Sequence, residues 1–198
     1  MKRTVTVFVL IISCLCSYGQ SSEVKNMLKE IEGQWSIDDN GNVTYQRIVE
    51  VPDMKKDDIY NRVLNYFVYN YGSGKSVIQT QDKENGQIIG KGIYDRLHTF
   101  SNGSGWVYLG TWHIVRIDVK DGKARIIITL TEYSEDYKGS LSSTNVSGEF
   151  PINKDGSRKN IMGKAFYKSH IKAIASLDLI EKAIKEGTTS KQLENDKW

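Results

Sequence analysis

Apolar residues recur along the chain at a helical period, at a two-residue period and in one unbroken run, and each spacing predicts a different kind of segment. Val24, Met27, Leu28 and Ile31 stand three and four apart before Gly33, which predicts a short amphipathic helix over 22–31. The stretch 44–51 is β-branched and aromatic and stops at Pro52, so it reads as a strand. Ile59, Val63, Phe67 and Tyr71 lie four apart, with Asp57 and Asp58 placed where the helix dipole favours negative charge. A long helix over 57–71 follows, ended by Gly72-Ser73-Gly74. Phe166, His170, Ile174, Leu177, Ile180 and Ile184 predict a second long helix over 164–186, with Gly187 as its stop.

Between the two helices the period changes to two. The stretches 76–82, 87–97, 105–119 and 123–133 read as strands, separated by Asn85-Gly86, a Ser-Asn-Gly-Ser-Gly loop at 101–105, and Asp121-Gly122. Four strands in succession imply an antiparallel meander. A two-residue type I′ turn at Asp121-Gly122 sets the register: Val119 faces Ala124, Ile117 faces Ile126, Val115 faces Ile128, Asp118 faces Arg125, and His113 falls opposite Leu130. One face then collects Val107, Leu109, Val115, Ile117, Val119, Ala124, Ile126, Ile128 and Leu130, and is the buried side. The other collects Trp106, Tyr108, Trp112, Ile114, Arg116, Asp118, Arg125, Ile127, Thr129, Thr131 and Tyr133.

The stretch 135–160 is polar and aperiodic, and reads as an irregular excursion with a short strand near 149–152. Both helices need an apolar wall and the meander offers one, so they are expected to lie together on its Val115/Ile128 side. The expected architecture is α+β: a curved antiparallel sheet of about five strands with two long helices on one face. The aromatic face is left open, unless the N-terminal segment or the 135–160 excursion covers it.

The unbroken apolar run is at the start of the chain. Lys2 and Arg3 precede twelve apolar or small residues at 5–16, and Ser17-Tyr18-Gly19 places small residues before Gln20. This pattern predicts a secretory signal peptide at 1–19, too short to span a bilayer. The expected organisation is then a lead-in at 20–43, an α+β domain at 44–187 and a polar tail at 188–198, the protein being exported, periplasmic or secreted and not membrane-spanning. Both cysteines, Cys14 and Cys16, fall within the signal, so a mature chain would carry no thiol. The competing reading makes Cys14 the acylated N-terminus of a lipoprotein; the two bulky isoleucines before Ser13 argue against it.

Cleavage would take the 27 basic residues to 25 against 24 acidic ones, a net of +1. A duplex nucleic-acid binder carries a stronger positive footprint, so no such partner is expected.

Four stretches carry a family resemblance: Val43-Thr44-Tyr45-Gln46-Arg47-Ile48-Val49-Glu50-Val51, Asp58-Ile59-Tyr60-Asn61-Arg62, Val77-Ile78-Gln79 and Glu84-Asn85-Gly86-Gln87-Ile88-Ile89-Gly90-Lys91-Gly92. Together they resemble an exported bacterial family of the Bacteroidetes, the domain of unknown function numbered 4468. The resemblance implies a fold like one repeat of the TATA-binding protein. It transfers no activity, ligand or catalytic residue.

The sequence carries little recognisable chemistry. Gly72-Ser73-Gly74-Lys75-Ser76 has the ending of a phosphate-binding loop, but Tyr69 stands where the first glycine is needed, and the order is helix-loop-strand. Asp38, Asn40 and Asn42 have calcium-loop spacing, yet Val43 replaces the required glycine. His98, His113 and His170 are scattered, and the last two fall on apolar faces, as core residues would. HExxH and GxSxG motifs do not occur, so no metal, no cofactor and no catalytic residue is expected. An unrecognised hydrolase is kept only as a minor alternative.

Two surfaces remain. Lys164, Lys168 and Lys172 are four apart and would form a basic ridge suited to anionic envelope surfaces, or simply a solvated helix face. The stronger candidate is the open sheet face, where Trp106, Tyr108, Trp112 and Tyr133 offer wide rings and Arg116 and Arg125 could fix a polar group. The expected function is a non-catalytic binding module for a peptide, glycan or envelope protein. A structural envelope protein that docks or self-associates through the same face is the alternative.

Overall fold

Long two-residue alternation dominates the middle of the chain, and it produces three strands of fifteen residues each. A computed structural model describes residues 20–70 and 77–187. The expected signal peptide at 1–19 with Cys14 and Cys16, the stretch 71–76 with Tyr71 and the Gly-rich loop, and the expected polar tail 188–198 lie outside the described residues.

In chain order the elements are α1 (Ser22–Glu30), β1 (Ser36–Ile37), β2 (Val43–Glu50), α2 (Lys56–Asn70), β3 (Ile78–Asp82), β4 (Gln87–Ser101), β5 (Trp106–Lys120), β6 (Lys123–Tyr137), β7 (Ser140–Asn145), a 3-10 turn (Val146–Gly148) and α3 (Lys159–Glu186). The strands form one antiparallel sheet in the order β1-β2-β6-β5-β4-β3, with β7 also paired to β6. The α+β architecture thus holds with seven strands and three helices. The strands beyond the five expected are the two-residue β1 and the hairpin strand β7, and the third helix is the short α1 that Val24, Met27, Leu28 and Ile31 predict.

The β5–β6 register agrees with the sequence reading from Val119 opposite Ala124 to His113 opposite Leu130. The turn differs in kind: Gly122 takes a positive φ of 73°, while Asp121 does not, so it is not type I′. The two-residue loop length, rather than the turn class, sets the pairing.

Beyond Trp112 the register departs from expectation. Trp112 pairs with Glu132 and His113 with Leu130, leaving Thr131 as an extra, bulged residue. Its hydroxyl donates to the Trp112 carbonyl at 3.3 Å. The bulge lies where β6 changes neighbours, since β2 pairs it up to Leu130 and β7 from Glu132 onwards. An uninterrupted alternation would turn Tyr133 to the open face. The extra residue turns it inward instead, opposite Thr111, and it is fully buried.

The expected excursion is more regular than its polarity suggests. β6 continues to Tyr137 and returns through Lys138-Gly139 as β7. Both turn residues have positive φ, 52° and 83°, the type I′ geometry that best suits a twisted hairpin. Residues 149–152 form no strand; Phe150 and Pro151 are buried beside the 3-10 turn.

All three helices are on the Val115/Ile128 side. Phe67 of α2 lies over Gly90, where an added Cβ would come within 2.6 Å of the ring, so only glycine admits this approach. α3 is tied to the sheet by Thr111 Oγ1 with Ser169 Oγ at 2.8 Å and by Tyr94 OH with Ser176 Oγ at 2.9 Å. Arg47 of β2 donates to Asp178 at 2.7 Å and to Glu181 at 2.8 Å. α1 is capped by Ser21 and packs on α3, with Val24 against Gly163. Gly187 ends α3 as expected, its N–H donating to the Ala183 carbonyl. The lead-in 20–43 therefore belongs to the same body, through β1 on β2 and α1 on α3.

Candidate functional site: the open sheet face

Because antiparallel partners share a face, the pairings define the side turned away from the helices. From β5 it receives Trp106, Tyr108, Trp112, Ile114, Arg116 and Asp118. From β4 it receives Ile89, opposite Arg116, Lys91, opposite Ile114, and Ile93, opposite Trp112. From β6 it receives Arg125, Ile127 and Thr129, and from β2 Ile48, opposite Arg125.

The rings are positioned as the β5 alternation predicts. Trp106 is 62% exposed. Tyr108 is half-buried beneath the Arg96 guanidinium, 4.8 Å from its centroid, and Trp112 beneath the Lys91 ammonium at 5.0 Å. Such cation–π contacts attract the cation to the ring and restrain the side chain. Arg96 reaches Tyr108 from an irregularity between Tyr94 and His98, and itself takes a φ of 47°. Neither α1 nor the 135–160 segment covers these rings: α1 lies on α3 in the helical layer, and β7 extends the sheet at the edge of β6.

Tyr133 does not belong to this site. It is buried among the core residues on the helix side, and its hydroxyl, like that of Tyr45, has no hydrogen-bond partner among the described residues. Burial pushes both phenols well above their ordinary range.

Arg116 and Arg125 do face outward, but both are engaged. Arg125 Nη2 is 2.6 Å and Arg116 Nε 3.0 Å from the Asp118 carboxylate, which also accepts from Gln87 at 2.9 Å. Partial burial raises the Asp118 pKa, but the hydrogen bonds from Arg125, Gln87 and Arg116 outweigh it and hold the carboxyl below its usual range. The trio is a fixed polar corner with one net positive charge, adjoining the isoleucines.

The sequence reading missed Ile48, Ile89, Lys91, Ile93 and Arg96. The alternation of Ile89, Lys91 and Ile93 carried the signal for three of them, once β4 is registered against β5.

On the helical side, Lys164 is held by Glu23 at 2.7 Å. Lys168 and Lys172 are exposed and have no ion pair among the described residues. His113 and His170 are buried as core residues. Among the described residues no group of three or more His, Cys, Asp or Glu could hold a metal ion, and no helix is long and apolar enough to cross a membrane.

A curved antiparallel sheet with its helices on one face is the TBP-like α+β class, and structural comparison bears this out. A TBP-like protein from Parabacteroides distasonis matches with a TM-score of 0.54 and 16% identity, covering 76% of this chain and 97% of that one. A DUF4468 family protein from Bacteroides ovatus matches with a TM-score of 0.56 and 14% identity, covering 81% and 94%. By sequence, residues 45–134 match the model of the domain of unknown function DUF4468 with TBP-like fold, in the region of the motifs at 43–92. No curated protein matches the chain.

Proposed function

We propose that this protein is an exported, non-catalytic binding module that docks its partner on the open sheet face, in the periplasm or at the cell surface. The observation that carries the proposal is a row of apolar side chains on that face that none of the described segments covers. Ile48 and Trp106 are 58% and 62% exposed, and Ile127, Ile114, Ile93 and Trp112 lie between them. Exposed rings beside branched aliphatics match the apolar face of a peptide or envelope protein. A glycan would need more unengaged polar groups than a face whose two arginines already bind Asp118.

A second copy of the chain is the alternative occupant, and the exposed isoleucines favour it equally on area alone. Sedimentation velocity separates the two, since a self-docking face gives a concentration-dependent dimer and a partner-docking face a monomer. Trp112→Ala should cost about 1–2 kcal/mol of stability, below the loss for a fully buried ring, because the side chain is only half-buried. A photo-crosslinking residue at Trp106 should capture an envelope component, and one at Lys172 should not. Equal capture at both positions, or a stability loss from Trp112→Ala as large as for a core ring, would overturn the proposal.

A further inference from the structure

We infer that a groove between α1 and the start of α3 binds a small anionic amphiphile, an alkyl carboxylate being the simplest member. The groove is on the helical side, independent of the sheet face, and encloses about 490 Å³. That volume is within the range of small-molecule sites, about 300–1,000 Å³.

Its rim and floor differ in character. Lys25 and Lys29, one turn apart on α1, face Lys154 and Lys159 across it, and the lining holds a single acid, Glu32. Lys25, Lys29 and Lys154 make no ion pair among the described residues. Lys159 leans over the Phe150 ring at 5.7 Å. The floor is apolar and aromatic: Trp35 meets Phe166 edge-on with centroids 5.4 Å apart, beside Leu28 and Phe150.

Four lysines against the one carboxylate of Glu32 leave the lining with a net positive charge, which an anion offsets. An inorganic anion would leave the half-buried Leu28 and Trp35 wet, and an uncharged chain would leave the charges unopposed. A cationic amphiphile would meet the rim with the wrong sign. Only a ligand with an anionic head and an apolar tail satisfies both halves of the groove.

Titration calorimetry of the purified protein with decanoate, below its micellar concentration, tests this. Decanoate should saturate a single site, while acetate and decyltrimethylammonium give no saturable heat. The double variant Lys29→Gln/Lys154→Gln should weaken decanoate binding about tenfold with an unchanged melting temperature, both lysines being on the surface. Added salt should weaken it in the wild type as well, a readout that requires no variant. Trp112→Ala should leave it unchanged. Absence of decanoate binding, equal binding of decyltrimethylammonium or of acetate, or indifference to both salt and the double variant would overturn the inference, and none of these outcomes bears on the sheet face.

Discussion

Tyr133→Ala should lower the free energy of unfolding by about 3–5 kcal/mol, the range for truncating a fully buried aromatic side chain. Tyr133→Phe should cost nothing or raise stability by about 1 kcal/mol, because it removes a buried hydroxyl that has no hydrogen-bond partner among the described residues. Urea denaturation of the two variants beside the wild type measures both effects. The contrast depends on the ring lying in the core, with the phenol oxygen contributing nothing favourable there. If Tyr133→Phe lost as much as Tyr133→Ala, the oxygen would be a structural hydrogen-bonding group, and the account of the core around Tyr45 and Tyr133 would fail.

Acid should destabilise the fold through His113. Its imidazole stacks on the Tyr94 ring, with centroids 3.9 Å apart and planes 14° from parallel. Burial pushes its pKa down from 6.5 to about 4, and a hydrogen bond with the Thr111 backbone opposes this only in part. Between those two values the unfolded chain takes up a proton that the folded chain refuses, so unfolding gains as pH falls. The contribution is fully present above pH 6.5 and lost progressively down to about pH 4, about 3 kcal/mol at 1.36 kcal/mol per unit. His170, also buried, has its pKa lowered and acts in the same direction. Urea midpoints from pH 4 to pH 8 should therefore fall more steeply for the wild type than for His113→Leu. Parallel curves would show that other groups govern the acid limb.

The side chains that mislead the sequence reading are those whose facing depends on a local irregularity. Alternation in β5 places Trp106, Tyr108 and Trp112 correctly because that strand keeps a strict two-residue period from end to end. Tyr133 is misplaced because Thr131 adds a residue whose bulged geometry leaves no mark in hydrophobicity. β7 is hidden for a related reason: Ser140–Asn145 is exposed throughout and has no apolar face to betray a strand, and its turn is Lys138-Gly139 rather than Asn-Gly or Asp-Gly. α3 starts five residues earlier than its apolar stripe suggests, with Arg158 at its N-cap and no side-chain hydrogen bond to mark the start.

The same limits apply to the candidate surfaces. The rings of β5 were legible. The cations over them were not, because Lys91 and Arg96 reach Trp112 and Tyr108 only through the β4–β5 pairing, which slips between Tyr94 and His98. The lysine-rimmed groove was beyond reach, since it joins α1 to residues more than a hundred positions away.

The bulge at Thr131 also determines where the chain can change length. Excising Thr131 itself would join Leu130 directly to Glu132 and leave every other β6 side chain pointing as it does now. Excising a neighbour such as Ile127 would swap inside for outside along the remainder of the strand, sending Ile128 and Leu130 into water or bringing Arg125 into the apolar layer. Related chains that differ in length should therefore carry their insertions and deletions at Thr131 or at the hairpin tips 83–86, 102–105, 121–122 and 138–139, and keep the strand bodies at constant count.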